Sequence, residues 1–132
     1  MEFIYIFDEN QEGVFQKITL DPKGNSTMTS VTTLGLARIK DDSILVETVH
    51  NILAGKKMVW ITADKRHKKT FSSKGDKVVY FGSNQSTSET KIELLNPLLE
   101  KSVKNNTGLH EEYENYNFIR IERGGNIVVH NN

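Results

Sequence analysis

The residues best suited to chemistry lie between Lys56 and Lys77. This stretch carries eight Lys or Arg against two Asp, a local charge of +6 in a chain whose formal net charge is zero. Concentrated positive charge attracts phosphate-bearing partners. The densest part, Asp64-Lys-Arg-His-Lys-Lys-Thr-Phe, also holds a ring two positions beyond its last cation. Cations neutralise phosphate and an aromatic face stacks a base, for about 1–3 kcal/mol per base. The candidate ligand-binding residues are therefore Lys57, Lys65, Arg66, His67, Lys68, Lys69, Phe71 and Lys74. The bland reading of the same residues is a solvated hairpin tip whose lysines discourage edge-to-edge pairing. Flanking cations would favour His67 as a neutral base, but a solvated loop histidine is the simpler explanation.

A second constellation is acidic. Phe-Ile-Tyr-Ile-Phe-Asp8 and Met-Val-Trp-Ile-Thr-Ala-Asp64 each run an apolar strand into a carboxylate. If those strands were parallel neighbours, Asp8 and Asp64 could share a divalent metal and support in-line attack on phosphate, with Glu93 or Asp76 as a third ligand. The competing explanation is that aspartate after a strand simply opens a turn. On the residues alone no metal and no cofactor is expected, with Asp8 and Asp64 the only metal candidates.

Other chemistries are missing from the sequence. There is no cysteine, which removes disulfides, thiolate zinc sites and thiol nucleophiles and suits a reducing compartment. His110-Glu-Glu-Tyr-Glu lacks the second histidine of a zinc-protease helix. Ser72, Ser73 and Ser83 sit in no Gly-x-Ser-x-Gly elbow, and Gly75 and Gly82 form no phosphate loop. Leu109–Asn117 is acidic with two tyrosines, a pattern that could dock a basic protein or simply pack back on the sheet.

The elements that must position these residues are legible in outline. At 132 residues the chain suits one globular domain, 1–132. The N-terminus reads as a strand rather than a signal peptide, and no apolar run reaches the roughly 20 residues of a membrane span. Thirteen Lys against four Arg, with twelve Asn, fit an AT-rich coding background such as a low-GC bacterium or its phage.

Phe3–Phe7 and Met58–Ala63 are apolar on both faces, as strands near a sheet centre are. Val14–Leu20 alternates and is expected to form a hairpin with Phe3–Phe7. Thr27–Leu34, Leu36–Lys40 and Val78–Phe81 read as further strands. Asp42–Ala54 places Ile44, Leu45, Thr48, Val49, Ile52 and Leu53 on one helical face, behind an Asp41-Asp42 start and before a Gly55 stop. Lys91–Leu95 is ambiguous between strand and helix. Asn96-Pro97 starts a short helix to about Lys104. Gly124-Gly125 is expected to turn a C-terminal hairpin that pairs Ile121 with Val128.

The expected fold is α+β, a single domain with a mostly antiparallel sheet of about seven strands, two helices and a C-terminal Gly-Gly hairpin. The expected function is a small cytoplasmic binding protein for a nucleotide or nucleic acid, using 56–77 and leaning away from an enzyme. The alternatives are a protein-interaction module of inhibitor or immunity type, and a metal-dependent nuclease on Asp8 and Asp64.

Overall fold

The computed structural model describes residues 3–17, 26–64, 66–81, 118–121 and 127–130. Among the described residues six strands form one sheet: β1 (Phe3–Phe7), β2 (Ser26–Ser30), β3 (Lys57–Thr62), β4 (Lys77–Phe81), β5 (Phe118–Ile121) and β6 (Ile127–His130). Between them lie α1 (Glu12–Lys17), α2 (Asp42–Ile52) and α3 (His67–Phe71), with a short 3-10 turn at Glu9–Gln11 before α1. The strand order is β2-β1-β3-β4-β5-β6. The first five strands are mutually parallel, and only β6 runs antiparallel at the edge.

This overturns the mostly antiparallel, seven-strand expectation. Helices and strands are both present, but β1 to β4 are parallel neighbours, which crossovers join and hairpins cannot. Fourteen residues separate Thr62 from Lys77, and they hold α3. That spacing exceeds a tight hairpin and suits a βαβ crossover. The doubly apolar strands carried the correct signal. Tyr5, Ile6, Phe7, Val59, Trp60, Ile61, Val78 and Val79 are fully buried, as in a sheet covered on both faces.

The described part of the Val14–Leu20 segment, Val14 to Lys17, is helical rather than extended, as the last four residues of α1. Asp8 caps the turn that leads into that helix, its Oδ1 accepting from Glu9 N at 2.8 Å. Phe15 then tilts against Phe7, with ring centroids 5.3 Å apart. The Thr27–Leu34 strand stops at Ser30, whose hydroxyl accepts from Thr33 N at 3.0 Å and bends the chain. No strand forms over Leu36–Lys40.

The C-terminal strands pair as Ile121 opposite Ile127 and Arg120 opposite Val128, one residue out of the expected register. The turn itself, the Pro97–Lys104 helix and Lys91–Leu95 lie outside the described residues.

The main core lies on one face. Ile4, Ile6, Met58, Trp60, Val78 and Tyr80 meet Leu45, Val46 and Val49 of α2 and Phe71 of α3. α2 forms as its periodicity predicts, with Asp41 Oδ1 accepting from Ile44 N at 3.1 Å. Gly55, at φ +83°, provides the left-handed residue that follows the helix end. Beneath the helices, His50 Nε2 and Trp60 Nε1 both reach Asp76 Oδ2, at 2.6 and 2.9 Å. Asp76 is thus a buried brace between α2 and the sheet.

β1 sends its chain outward to β2, and the return crossover lands β3 on its other side. The carboxyl ends of β1 and β3 therefore flank the point where the winding reverses. In open parallel sheets that crevice is where ligands bind.

Candidate functional site

Asp8 follows β1 and Asp64 lies just beyond β3, and those strands are parallel neighbours. The arrangement that would let the two carboxylates work together is the one the chain adopts. A third carboxylate arrives from the start of α2. Asp41 is consumed as the cap of that helix, which leaves Asp42 to face the crevice. Asp8, Asp42 and Asp64 all line one cavity of about 530 Å³. Glu9, Asn10, Lys40, Arg66 and His67 complete its polar wall, and Val31, Ile39 and Leu45 its apolar one.

His67 sits among the three carboxylates. Its Nδ1 lies 2.7 Å from Asp8 Oδ2. Its Nε2 lies 3.3 Å from Asp42 Oδ2 and 3.4 Å from Asp64 Oδ2. The ring is placed by α3, whose first residue it is, and by an edge contact with Phe71 at 5.1 Å.

Asp8 is the deepest of the three and the most constrained. Its Oδ2 accepts from Thr62 Oγ1 at 2.7 Å and from Asn10 Nδ2 at 3.1 Å, besides His67. Thr62 Oγ1 in turn accepts from Asp64 N at 3.1 Å, and Asn10 Oδ1 from Ala63 N at 3.2 Å. These bonds tie the ends of β1 and β3 into one rigid edge.

The carboxylates differ electrostatically. Asp42 is held above the ordinary aspartate range by burial first, and then by the charges of Asp8 and Asp64, with His67 opposing. Asp64 is held below that range, chiefly by hydrogen bonds from the Arg66 side chain. Arg66 donates through Nε to Asp64 Oδ1 at 3.1 Å and through Nη2 to Oδ2 at 2.9 Å. Its backbone N–H also donates to Oδ1, at 2.9 Å.

The cavity wall bears four carboxylates against two cations, Lys40 and Arg66. A bare phosphate would be repelled there, whereas a divalent cation would be attracted. Among the described residues no group of three or more His, Cys, Asp or Glu is arranged to hold a metal ion. Magnesium does not need one. It is commonly held by one or two carboxylates, keeps several waters and takes its remaining ligands from substrate phosphate.

Among the described residues the expected basic site is dispersed rather than gathered. Arg66 and His67 reach the cavity, and His67 is engaged by acids instead of lying free in a cationic loop. Lys69 is exposed on α3. Lys74 lies 3.8 Å from Glu47 of α2. Lys57 begins β3, at the opposite end of a six-residue strand from Thr62 and so roughly 16–17 Å away. Lys65 and the Lys68 side chain lie outside the described residues. Phe71 is fully buried and stacks on Trp60 at a centroid distance of 4.3 Å, so it presents no face to a base.

Of the expected third ligands, Asp76 is occupied by Trp60 and His50, and Glu93 lies outside the described residues. Asp42, Asn10 and Thr62 were the residues the sequence did not yield. The doubled Asp41-Asp42 was the available signal, since a helix start needs only one capping carboxylate.

Comparison with known protein families, with characterised proteins and with solved structures finds no match. No helix among the described residues is long and apolar enough to cross a membrane.

Proposed function

We propose that this chain is a divalent-metal-dependent nuclease in which Asp8, Asp42 and Asp64 form an acidic edge where one or two carboxylates hold the ion. The observation that carries the reading is the convergence of these carboxylates, from β1, α2 and β3, on one cavity at the winding reversal. Loop carboxylates kept only for solubility have no reason to meet in a crevice. Bringing like charges together costs energy unless a cation or a proton offsets it.

A bound magnesium or manganese ion would supply positive charge to a phosphodiester oxygen and acidify an attacking water. The chain's own residues do the remaining work. Thr62 and Asn10 fix the Asp8 carboxylate. Asp42 and Asp64 face it across the imidazole of His67. Arg66 and Lys69, both exposed, would contact the flanking nucleic-acid backbone, so the basic segment becomes part of a substrate surface rather than the whole site. Formal neutrality then reflects an acidic centre beside a basic flank. A cysteine-free chain of this kind suits the cytoplasm.

The test is cleavage of labelled single- and double-stranded oligonucleotides with magnesium or manganese, for wild type and Asp64→Asn. Asp64 is the cleaner position. Asp8→Asn would place an amide among three side-chain donors and confound activity with folding. Metal-dependent cleavage that Asp64→Asn removes supports the reading. Wild-type protein inert with every metal and substrate, and binding neither ion by calorimetry, sinks it.

A further inference from the structure

We infer that Arg66 is the residue that grips the reacting phosphate, acting as a guanidinium clamp beside the metal-binding edge. This deepens the nuclease reading and rests on it.

Arg66 lines the cavity at the rim where Asp64 stands. Its backbone N–H already makes the turn bond to Asp64 Oδ1, a bond any residue could supply. The side chain adds a two-point pairing, Nε to Oδ1 and Nη2 to Oδ2. Stability does not explain that addition. The Arg66 side chain is 87% exposed, and exposed ion pairs add little to stability.

What the pairing does achieve is orientation. It biases the orientation of a planar group with five N–H donors while using only two of them. The remaining three are available to non-bridging phosphate oxygens at the cavity mouth. Oriented donors of this kind act where negative charge builds during phosphoryl transfer. The guanidinium stays charged at every working pH, so its readiness needs no proton transfer. Lys40, the other cation of the wall, stands 3.8 Å from Glu9 and lacks the fork. Arg66 is therefore the one guanidinium among the described residues of the cavity wall.

The experiment compares wild type, Arg66→Gln and Arg66→Lys in metal-dependent cleavage of a labelled oligonucleotide. Calorimetric metal affinity and melting temperature are measured in parallel. Loss of one such donor group lowers kcat roughly 100-fold or more. Arg66→Gln should show that loss with an unchanged melting temperature and with metal affinity equal or higher, because a cation has left the site. Arg66→Lys should fail to restore kcat, since an ammonium cannot hold Asp64 at two points and grip phosphate as well. Wild-type cleavage matched by Arg66→Gln overturns the clamp and leaves the nuclease reading standing. A kcat loss accompanied by an equal fall in metal affinity also overturns it, because Arg66 would then serve only to place Asp64. Absence of wild-type cleavage overturns both.

Discussion

Replacing Phe71 by Ala separates two pictures of the basic segment. As a surface ring that stacks bases, Phe71 would cost little stability, within about 0.5 kcal/mol, when removed. In the fold its side chain is fully buried, lies nearly parallel to Trp60 at 19° between planes, and belongs to the main core under α2 and α3. Truncating a buried phenylalanine costs roughly 3–5 kcal/mol. That is a large share of the ~5–15 kcal/mol that holds a domain together. For a chain of this size each kcal/mol moves the melting temperature by about 3–5 °C, so a fall of roughly 10–20 °C is expected. The effect reaches the site through His67, whose ring rests on Phe71 and begins the same five-residue helix. Scanning calorimetry is the assay, with Phe71→Leu as a milder companion that retains part of the volume. A melting temperature unchanged within 2 °C for Phe71→Ala would refute the packing argument and return Phe71 to the surface.

His50→Leu should destabilise the protein by roughly 1–3 kcal/mol in urea titration, because buried Asp76 loses one of its two donors and keeps only Trp60. Asp76→Asn should cost less than that, since an amide carbonyl still accepts from the indole and carries no charge to bury. The pH dependence has opposite signs at two carboxylates. Asp64, lowered in the fold by Arg66, contributes stability present above its unfolded pKa of about 3.9 and lost as pH falls through the lower folded value. Asp42, raised mainly by burial, binds its proton more tightly when folded and so gains stability on acidification through its raised value. Arg66→Gln removes the first effect and keeps the second. Its urea midpoint should therefore decline less than that of wild type between pH 5 and pH 3, by a small amount because the pair is exposed. A variant more acid-sensitive than wild type would contradict the assignment.

The sequence was legible wherever one local rule acted alone. α2 follows from its apolar period, its Asp41 cap and its Gly55 stop, and the structure closes it at Ile52, two residues short of the expected end. The strand-end positions of Asp8 and Asp64 could also be read directly. Strand pairing could not, because it is decided by segments far apart in the chain. Phe3–Phe7 and Met58–Ala63 announce burial on both faces, yet a hairpin of Phe3–Phe7 with Val14–Leu20 buries only one face. Taking double burial seriously would have required helical crossovers on both sides, and with them a parallel sheet. The site was half visible for the same reason. Asp42 comes from a helix that returns across β1, so its meeting with Asp8 and Asp64 exists only once the winding order is known. His67 drew notice for its cationic neighbours in sequence, but its partners in space are acidic. Phe71 was misplaced because an aromatic among lysines looks exposed until α3 turns it onto Trp60.

The most direct test is a cleavage time course on a labelled oligonucleotide with magnesium, with manganese and with excess chelator, for wild type beside Asp64→Asn of equal melting temperature. The nuclease reading requires cleavage by wild type that chelator abolishes and that falls by at least roughly 100-fold, or about 2.7 kcal/mol, in the variant. Cleavage that persists in chelator, or that Asp64→Asn leaves untouched, would show that the three converging carboxylates are not the centre of this protein's chemistry.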